Sequence, residues 1–191
     1  MSAARPTVIV LAAGRSERFR AASGGQHKLH AQLGDRTVLQ HVLASVQDSG
    51  LPWHVVEPAH TQHLASPGMG DSIACGVAAT RDANGWLVLP GDLPLVLPSS
   101  LQAVAHALAA HAVVVPFVQG QRGHPVGFAA TCREALLALR GEGGASGVVA
   151  AHGMHRLMLD DPGCVLDVDT PEALQKAQAY WLQRAGMRVA R

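Results

Sequence analysis

The chain has 191 residues, 48% of them hydrophobic and 15% charged, with a formal net charge of +1. That length and composition allow a sizeable core and exclude wholesale disorder, and the near-neutral charge excludes a nucleic-acid or anionic-membrane surface as the main partner. Three scattered cysteines, Cys75, Cys132 and Cys164, lack CxxC spacing, which suits a reduced, cytoplasmic protein better than a disulfide framework or a zinc site. The apolar run "TVIVLAA" after Arg5 is too short and too weakly flanked by basic residues to favour a signal peptide. No stretch approaches the ~20 apolar residues that span a bilayer.

Short apolar runs alternate with helical periodicity. Strands are expected at 7–11, 53–57, 86–90, 112–117, 125–129, 155–159 and 164–168. Between them, "TVLQHVLASVQD" (37–48) places Val38, Leu39, Val42, Leu43 and Val46 at helical spacing, with Gly50 just beyond as a stop. A helix over 71–80 would begin at Asp71-Ser72, both suitable caps. Further helices are expected over 98–110 and 131–140. In the last, Thr170 can cap, Pro171 takes the first helical position and Glu172 favours the positive end of the dipole. The glycine-rich patches 23–25 and 141–147 read as mobile loops. Trp53 and Trp86, at strand starts, are expected in the core, Tyr180 and Trp181 in packing of the last helix, and Cys75 as a small apolar residue. The pairs His60-x-x-His63 and His152-x-x-His155 have metal-like spacing but no third ligand, and read as solvated or loop histidines.

Strand–helix alternation with near-continuous apolar strands predicts a mostly parallel sheet covered on both faces, an α/β/α sandwich forming one domain over 1–191. In such a sheet, ligands sit beyond the carboxyl ends of the strands. The loop after the first strand, Ala12-Ala13-Gly14-Arg15-Ser16-Glu17-Arg18, is therefore expected at the ligand crevice. Its small residues let backbone N–H groups approach an anion, and Arg18 and Lys28 can add full charge against phosphates. The other reading is an ordinary βα turn with surface arginines. No GxxxxGKS/T and no GxGxxG follows the strand, so neither a P-loop nor a dinucleotide fingerprint is present. A second strand end, "WLVLPGDLPLV", stops at Gly91-Asp92. A third stretch, "CVLDVDTPEAL", places Asp167 and Asp169 on one face if its strand is regular. Asp92 and Asp169 could together hold Mg²⁺, which takes a few carboxylates, phosphate oxygens and water. Asp169 could equally cap the last helix.

The series "LAAGRSERF…HKL", "GMGDSIACGV", "GDLPLV", "GQRGHPVGF" and "DVDTPEAL" resembles the molybdenum cofactor cytidylyltransferases, nucleotidyltransferases of the MobA-like group related to GT-A glycosyltransferases. The similarity runs from about Val8 to the last helix. It implies a Rossmann-like GT-A sheet and a Mg²⁺-dependent transfer of CMP from CTP to the phosphate of molybdopterin, with release of pyrophosphate. It also implies a molybdoenzyme or maturation partner downstream. By position, Leu11, Ala12, Ala13, Gly14, Arg15 and Ser16 match the nucleotide-binding loop, Arg18 and Lys28 the triphosphate-holding cations, and Ser72, beside Gly70, a serine that reads cytosine. Pro90 and Gly91 match the second wall of that site, Asp92 and Asp169 the metal ligands, and Gln121, Arg122, Gly123, His124 and Pro125 the loop lining the acceptor side. Arg18, Lys28 and Asp92 would carry catalysis.

Departures from the family pattern fall in two places. Arg20 stands where a glycine is usual, with "AASGGQH" lengthening the loop before Lys28, and the segment "EPAHTQHLASP" is short. Arg20 could share the role of Arg18. The alternatives are GTP as nucleotide, another phosphorylated acceptor such as a sugar phosphate or phosphocholine, and a non-catalytic molybdopterin carrier. A nicotinamide-dependent oxidoreductase lacks its glycine fingerprint.

Overall fold

The computed structural model describes residues 5–189. Strand β1 (Thr7–Leu11) is followed by α1 (Glu17–Ala22), a 3₁₀ turn at Lys28–His30, and a two-stranded ribbon of β2 (Gln32–Leu33) and β3 (Arg36–Thr37). Then come α2 (Val38–Asp48), β4 (Trp53–Val56), α3 (Pro58–Thr61), α4 (Met69–Ala79), β5 (Gly85–Pro90) and α5 (Pro98–Ala107). The remainder is β6 (Val113–Val118), β7 (Gln121–Arg122), β8 (Val126–Ala129), α6 (Arg133–Leu137), α7 (Ser146–His152), β9 (His155–Met158) and α8 (Pro171–Val189).

The main sheet has seven strands in the order β4-β1-β5-β8-β6-β7, with β9 also on β6. β1 pairs in parallel with both β4 and β5, so Val8 lies between Trp53 and Leu87. β8 enters antiparallel between β5 and β6. β9 pairs in parallel with β6, and the short β7 runs against it. The sheet is thus mostly parallel, with β8 and β7 reversed.

Period-2 alternation divides the core. Ile9, Trp86 and Val88 pack with α4, α6 and α7 on one face through Ile73, Leu136 and Val149. Val8, Val10, Leu87 and Leu89 meet Val42 and Val46 of α2 and Leu101 and Val104 of α5 on the other. A strand with neighbours on both edges and helices on both faces favours apolar residues, which is why Val8–Leu11 of β1 read as an unbroken apolar run. A third cluster joins Phe19, Leu29, Leu33, Val168 and Ala177 beneath α8, with Tyr180 and Trp181 packed against it.

Four expectations are corrected. Residues 164–168 form no strand: Pro162–Cys164 is a 3₁₀ turn that Asp161 caps by accepting from the Gly163 N–H at 3.0 Å. A Cβ on Gly163 would lie 2.1 Å from the Leu95 carbonyl oxygen, so the segment is pressed against 95–96 and away from any sheet edge. Its apolar signal comes from Cys164 and Val168, both fully buried beneath irregular backbone. Helix α4 starts at Met69, which puts Asp71 and Ser72 inside its first turn instead of at its cap. Trp86 is fully buried, but Trp53 lies on the edge strand β4 and is 41% exposed. Part of the 141–147 patch is helical, because α7 begins at Ser146. Among the described residues no helix is long and apolar enough to cross a membrane.

Candidate active site

Three chain segments meet at the carboxyl ends of β1 and β5. The Gly91 N–H donates to the Leu11 carbonyl at 2.9 Å, and the Ala12 N–H to that of Val56 at 2.9 Å. A Cβ on Gly91 would stand 2.9 Å from the Leu11 oxygen, so glycine there lets the two strand ends close together. The Val168 N–H donates to the Asp92 carbonyl at 2.9 Å and anchors the run that carries Asp169. Asp169 thus reaches the site through a loop contact, while Asp167 is exposed and does not line the cleft.

The cleft above these ends encloses about 450 Å³, a size ordinary for small-molecule sites. Of the residues expected at the nucleotide, Leu11, Ala13, Gly14, Arg15, Ser16, Arg18, Lys28, Ser72, Pro90 and Gly91 line it, together with Asp92 and Asp169. Two do not. Ala12 is buried in the core beside Phe19, and Gly70 is packed on 140–141, where a Cβ would meet the Arg140 carbonyl at 2.9 Å. Arg20 is exposed on α1 and does not line the cleft either. Glu17 lines the cleft with the rest of its loop, and the structure adds Phe19, Leu29, Thr61, Pro67, Gly68, Met69 and Glu142. Thr61 and Pro67 come from the shortened segment, and Glu142 from the patch read as a mobile loop. That patch is held down: the Asp71 carboxylate accepts from the Gly68 N–H at 2.9 Å and from the Gly141 N–H at 2.8 Å. Ser72 Oγ donates to the Gly68 carbonyl at 3.2 Å, so its hydroxyl proton is used within the helix.

Lys28 is the electrostatic centre. Its Nζ donates to Asp92 Oδ2 at 2.5 Å and to Asp169 Oδ1 at 2.6 Å, and the Arg18 guanidinium pairs with Asp169 Oδ2 at 3.1 Å. Burial acts to lower the Lys28 pKa, but the charge of Asp92 and the hydrogen bonds that Lys28 donates to both carboxylates outweigh it, holding the pKa above the ordinary lysine value. Two cations and two carboxylates therefore balance formally in a site where Lys28 and Asp92 are only 16% and 14% exposed. Asp92 Oδ1 is buried with no hydrogen-bond partner. A buried carboxylate oxygen without a partner lacks compensation. With Asp169 nearby it offers the hard-oxygen donors that Mg²⁺ or Mn²⁺ takes while keeping other positions for phosphate and water. The residues present fit such an ion. Among the described residues no cluster of three or more His, Cys, Asp or Glu forms a closed protein cage, so an ion here would depend on its substrate for the remaining ligands.

On the loop, Ser16 adopts the left-handed conformation (φ 56°), at a cost of about 1–2 kcal/mol for a non-glycine residue. His27 faces it: the ring Nε2 is 3.0 Å from the Gly14 carbonyl oxygen and 3.1 Å from Ser16 Oγ. Burial lowers the His27 pKa against the opposing pull of the Gly14 carbonyl.

None of Gln121, Arg122, Gly123, His124 or Pro125 lines the cleft. Gln121 and Arg122 are exposed on β7. Gly123 is packed against Cys164, and the His124 N–H donates to the Cys164 carbonyl at 2.9 Å. The His124–Pro125 peptide is cis. His124 Nδ1 is buried without a partner, and burial lowers the ring's pKa while the charge of Asp92 opposes the shift.

Residues 8–157 match the MobA-like NTP transferase domain. The Purine catabolism protein PucB of Bacillus subtilis (strain 168) is 30% identical over 195 residues, covering 86% of this chain and 91% of that protein. The crystal structure of Rv0371c from Mycobacterium tuberculosis H37Rv superposes with a TM-score of 0.75 at 27% identity, covering 94% of this chain and 100% of that one. A second crystal structure of Rv0371c is a complex with manganese. The Molybdopterin-guanine dinucleotide biosynthesis protein A of Archaeoglobus fulgidus shares the fold, with a TM-score of 0.67 at 16% identity over 92% of this chain and 99% of that one. With a family match over most of its length and a cleft that gathers paired cations and carboxylates at the strand ends, the chain belongs to the MobA-like NTP transferases and is a nucleotidyltransferase.

Proposed function

We propose that this enzyme transfers CMP from CTP to the terminal phosphate of the molybdenum cofactor, releasing pyrophosphate. The observation that carries the reading is the Lys28 ammonium held between Asp92 and Asp169 beneath the Ala13–Arg18 loop. The choice of CTP rests on the "LAAG" loop, and the choice of acceptor on "GQRGHPVGF", by resemblance. The name of the A. fulgidus neighbour supports a molybdopterin-type acceptor.

An oxygen of the acceptor phosphate attacks the α-phosphorus of CTP. The new P–O bond forms as the bond from the α-phosphorus to the β-bridging oxygen breaks, and pyrophosphate leaves with that electron pair. The acceptor is already anionic near neutral pH, so the attack needs no strong base. The difficulty is to bring two anions together and stabilise the departing charge, which positioning and electrostatics supply in phosphoryl transfer generally. Lys28 and Arg18 meet the polyphosphate, and Gly14, whose Cβ position is open space, leaves room for it against the loop backbone. Asp92 and Asp169 would hold a Mg²⁺ ion, which supplies further neutralisation of the triphosphate; the manganese complex of Rv0371c supports a divalent ion in this role.

The test is pyrophosphate release from CTP or GTP with Mg²⁺, with and without purified molybdopterin. Release that requires both CTP and molybdopterin supports the proposal. Equal release from GTP overturns the choice of nucleotide, and release with a sugar phosphate in place of molybdopterin overturns the acceptor. Molybdopterin binding without pyrophosphate release from either nucleotide would favour a carrier.

A further inference from the structure

His27 lies in the lengthened stretch before Lys28, and its ring bridges two elements that flank the cleft. Nδ1 accepts from the Leu29 N–H at 3.3 Å, capping the 3₁₀ turn that presents Lys28. A ring nitrogen that accepts carries no proton, so in the neutral ring the hydrogen sits on Nε2, which faces the Gly14 carbonyl oxygen at 3.0 Å. Ser16 completes the contact. It stands at the N-cap of α1, where a serine hydroxyl normally accepts from its own helix, yet it makes no side-chain cap bond and turns its Oγ to the imidazole instead. Ser16 is also in the left-handed region, a conformation that persists where its surroundings over-determine it.

We propose that His27 is a positioning residue: a latch between the Gly14–Ser16 turn and the Lys28 turn that sets them in one register, so that a polyphosphate meets the loop and the ammonium together. The inference rests on the nucleotidyltransferase reading of this cleft. It assigns a use to the inserted segment, whose last residue supplies a contact bridging 13 positions of the chain.

The test uses three variants. His27→Ala removes the contacts to Gly14, Ser16 and Leu29. His27→Gln places an amide N–H where Nε2–H lies and restores the bond to Gly14. His27→Asn reaches only as far as Nδ1 and preserves the cap on Leu29. Binding is measured by calorimetry with inorganic pyrophosphate and Mg²⁺, the product common to every nucleotidyl transfer, and KM and kcat by pyrophosphate release from CTP. The latch predicts that His27→Ala and His27→Asn weaken pyrophosphate binding and raise the KM for CTP by about five- to tenfold, the effect of losing one hydrogen bond. The KM for the acceptor stays unchanged, the melting temperature shifts by a few degrees at most, and His27→Gln recovers most of the affinity. Wild-type binding that His27→Ala leaves intact overturns the latch alone, as does full rescue by Asn without rescue by Gln, which would reduce His27 to a local cap. Absence of Mg²⁺–pyrophosphate binding by the wild type overturns the nucleotide reading and the latch with it.

Discussion

Replacing Asp92 with asparagine separates catalysis from folding. In the native site Lys28 and Arg18 face Asp92 and Asp169, two positive against two negative charges, with Lys28 bonded to both carboxylates at 2.5 and 2.6 Å. Asp92→Asn removes one charge, but Lys28 keeps Asp169 and can still donate to the asparagine carbonyl. The new amide N–H₂ then falls at the position of Oδ1, which has no partner in the structure. A buried donor left unsatisfied costs about 1–3 kcal/mol, and each kcal/mol lowers the melting temperature of a chain this size by roughly 2–4 °C. Losing a preorganised charged oxygen from the reaction centre should cost more, about 10²–10³ in kcat, or about 2.7–4 kcal/mol. The assay is Mg²⁺-dependent pyrophosphate release at saturating CTP, beside thermal unfolding of the same preparation. Turnover within threefold of the wild type would show that the Asp92 carboxylate does not act at the reaction centre. So would a loss of activity that follows the loss of folded protein.

Three further outcomes follow from the same geometry. Arg18→Ala should raise the KM for the nucleotide about tenfold while changing stability by about 0.5 kcal/mol or less, because the arginine side chain is 81% exposed and exposed ion pairs contribute little; steady-state kinetics and thermal melts check both. Gly163→Ala sets a Cβ against Leu95 backbone at 2.1 Å and should cost at least about 2 kcal/mol in denaturant unfolding, with lower turnover because the chain runs from there to Asp169. The N–H groups of Gly68 and then Gly141 hold the Asp71 carboxyl below its ordinary pKa. A depressed pKa contributes stability that is fully present above the unfolded-state value and is lost as pH falls through the folded one. The melting temperature of Asp71→Asn should therefore lie below the wild type's at neutral pH, with the gap closing below about pH 4, where carboxylates take up protons; a gap that does not change with pH would count against the clip.

The legible part of this molecule was its strand ends. β1 and β5 announce themselves because burial on both faces leaves only apolar residues, and the glycine and charge that end each run mark where the chain leaves the sheet. Lys28 and Asp169 are legible singly, as a cation beyond the first strand's loop and a carboxylate before the last helix; no periodicity shows that Asp92 and Asp169, 64 and 141 positions from Lys28, meet it in one hydrogen-bonded set. The 164–168 segment misled for a physical reason: Cys164 and Val168 are buried like strand residues, but Gly163 against Leu95 and the Asp161 cap bend the backbone out of register. The reversed direction of β8 was illegible because an apolar strand reads alike in either direction. Glu142 was hidden in a glycine-rich patch that Asp71 clamps from 70 residues away. His27 carried no local signal, since its partners Gly14 and Ser16 are brought to it by the fold.

The most direct measurement is a crystal structure with CTP and Mn²⁺, located by its anomalous signal. One ion is expected, bound by Asp92 and Asp169 together with phosphate oxygens, with Lys28 turned from the carboxylates toward the polyphosphate. An ion that touches neither aspartate, or a nucleotide lodged outside the Ala13–Arg18 loop, would contradict that arrangement.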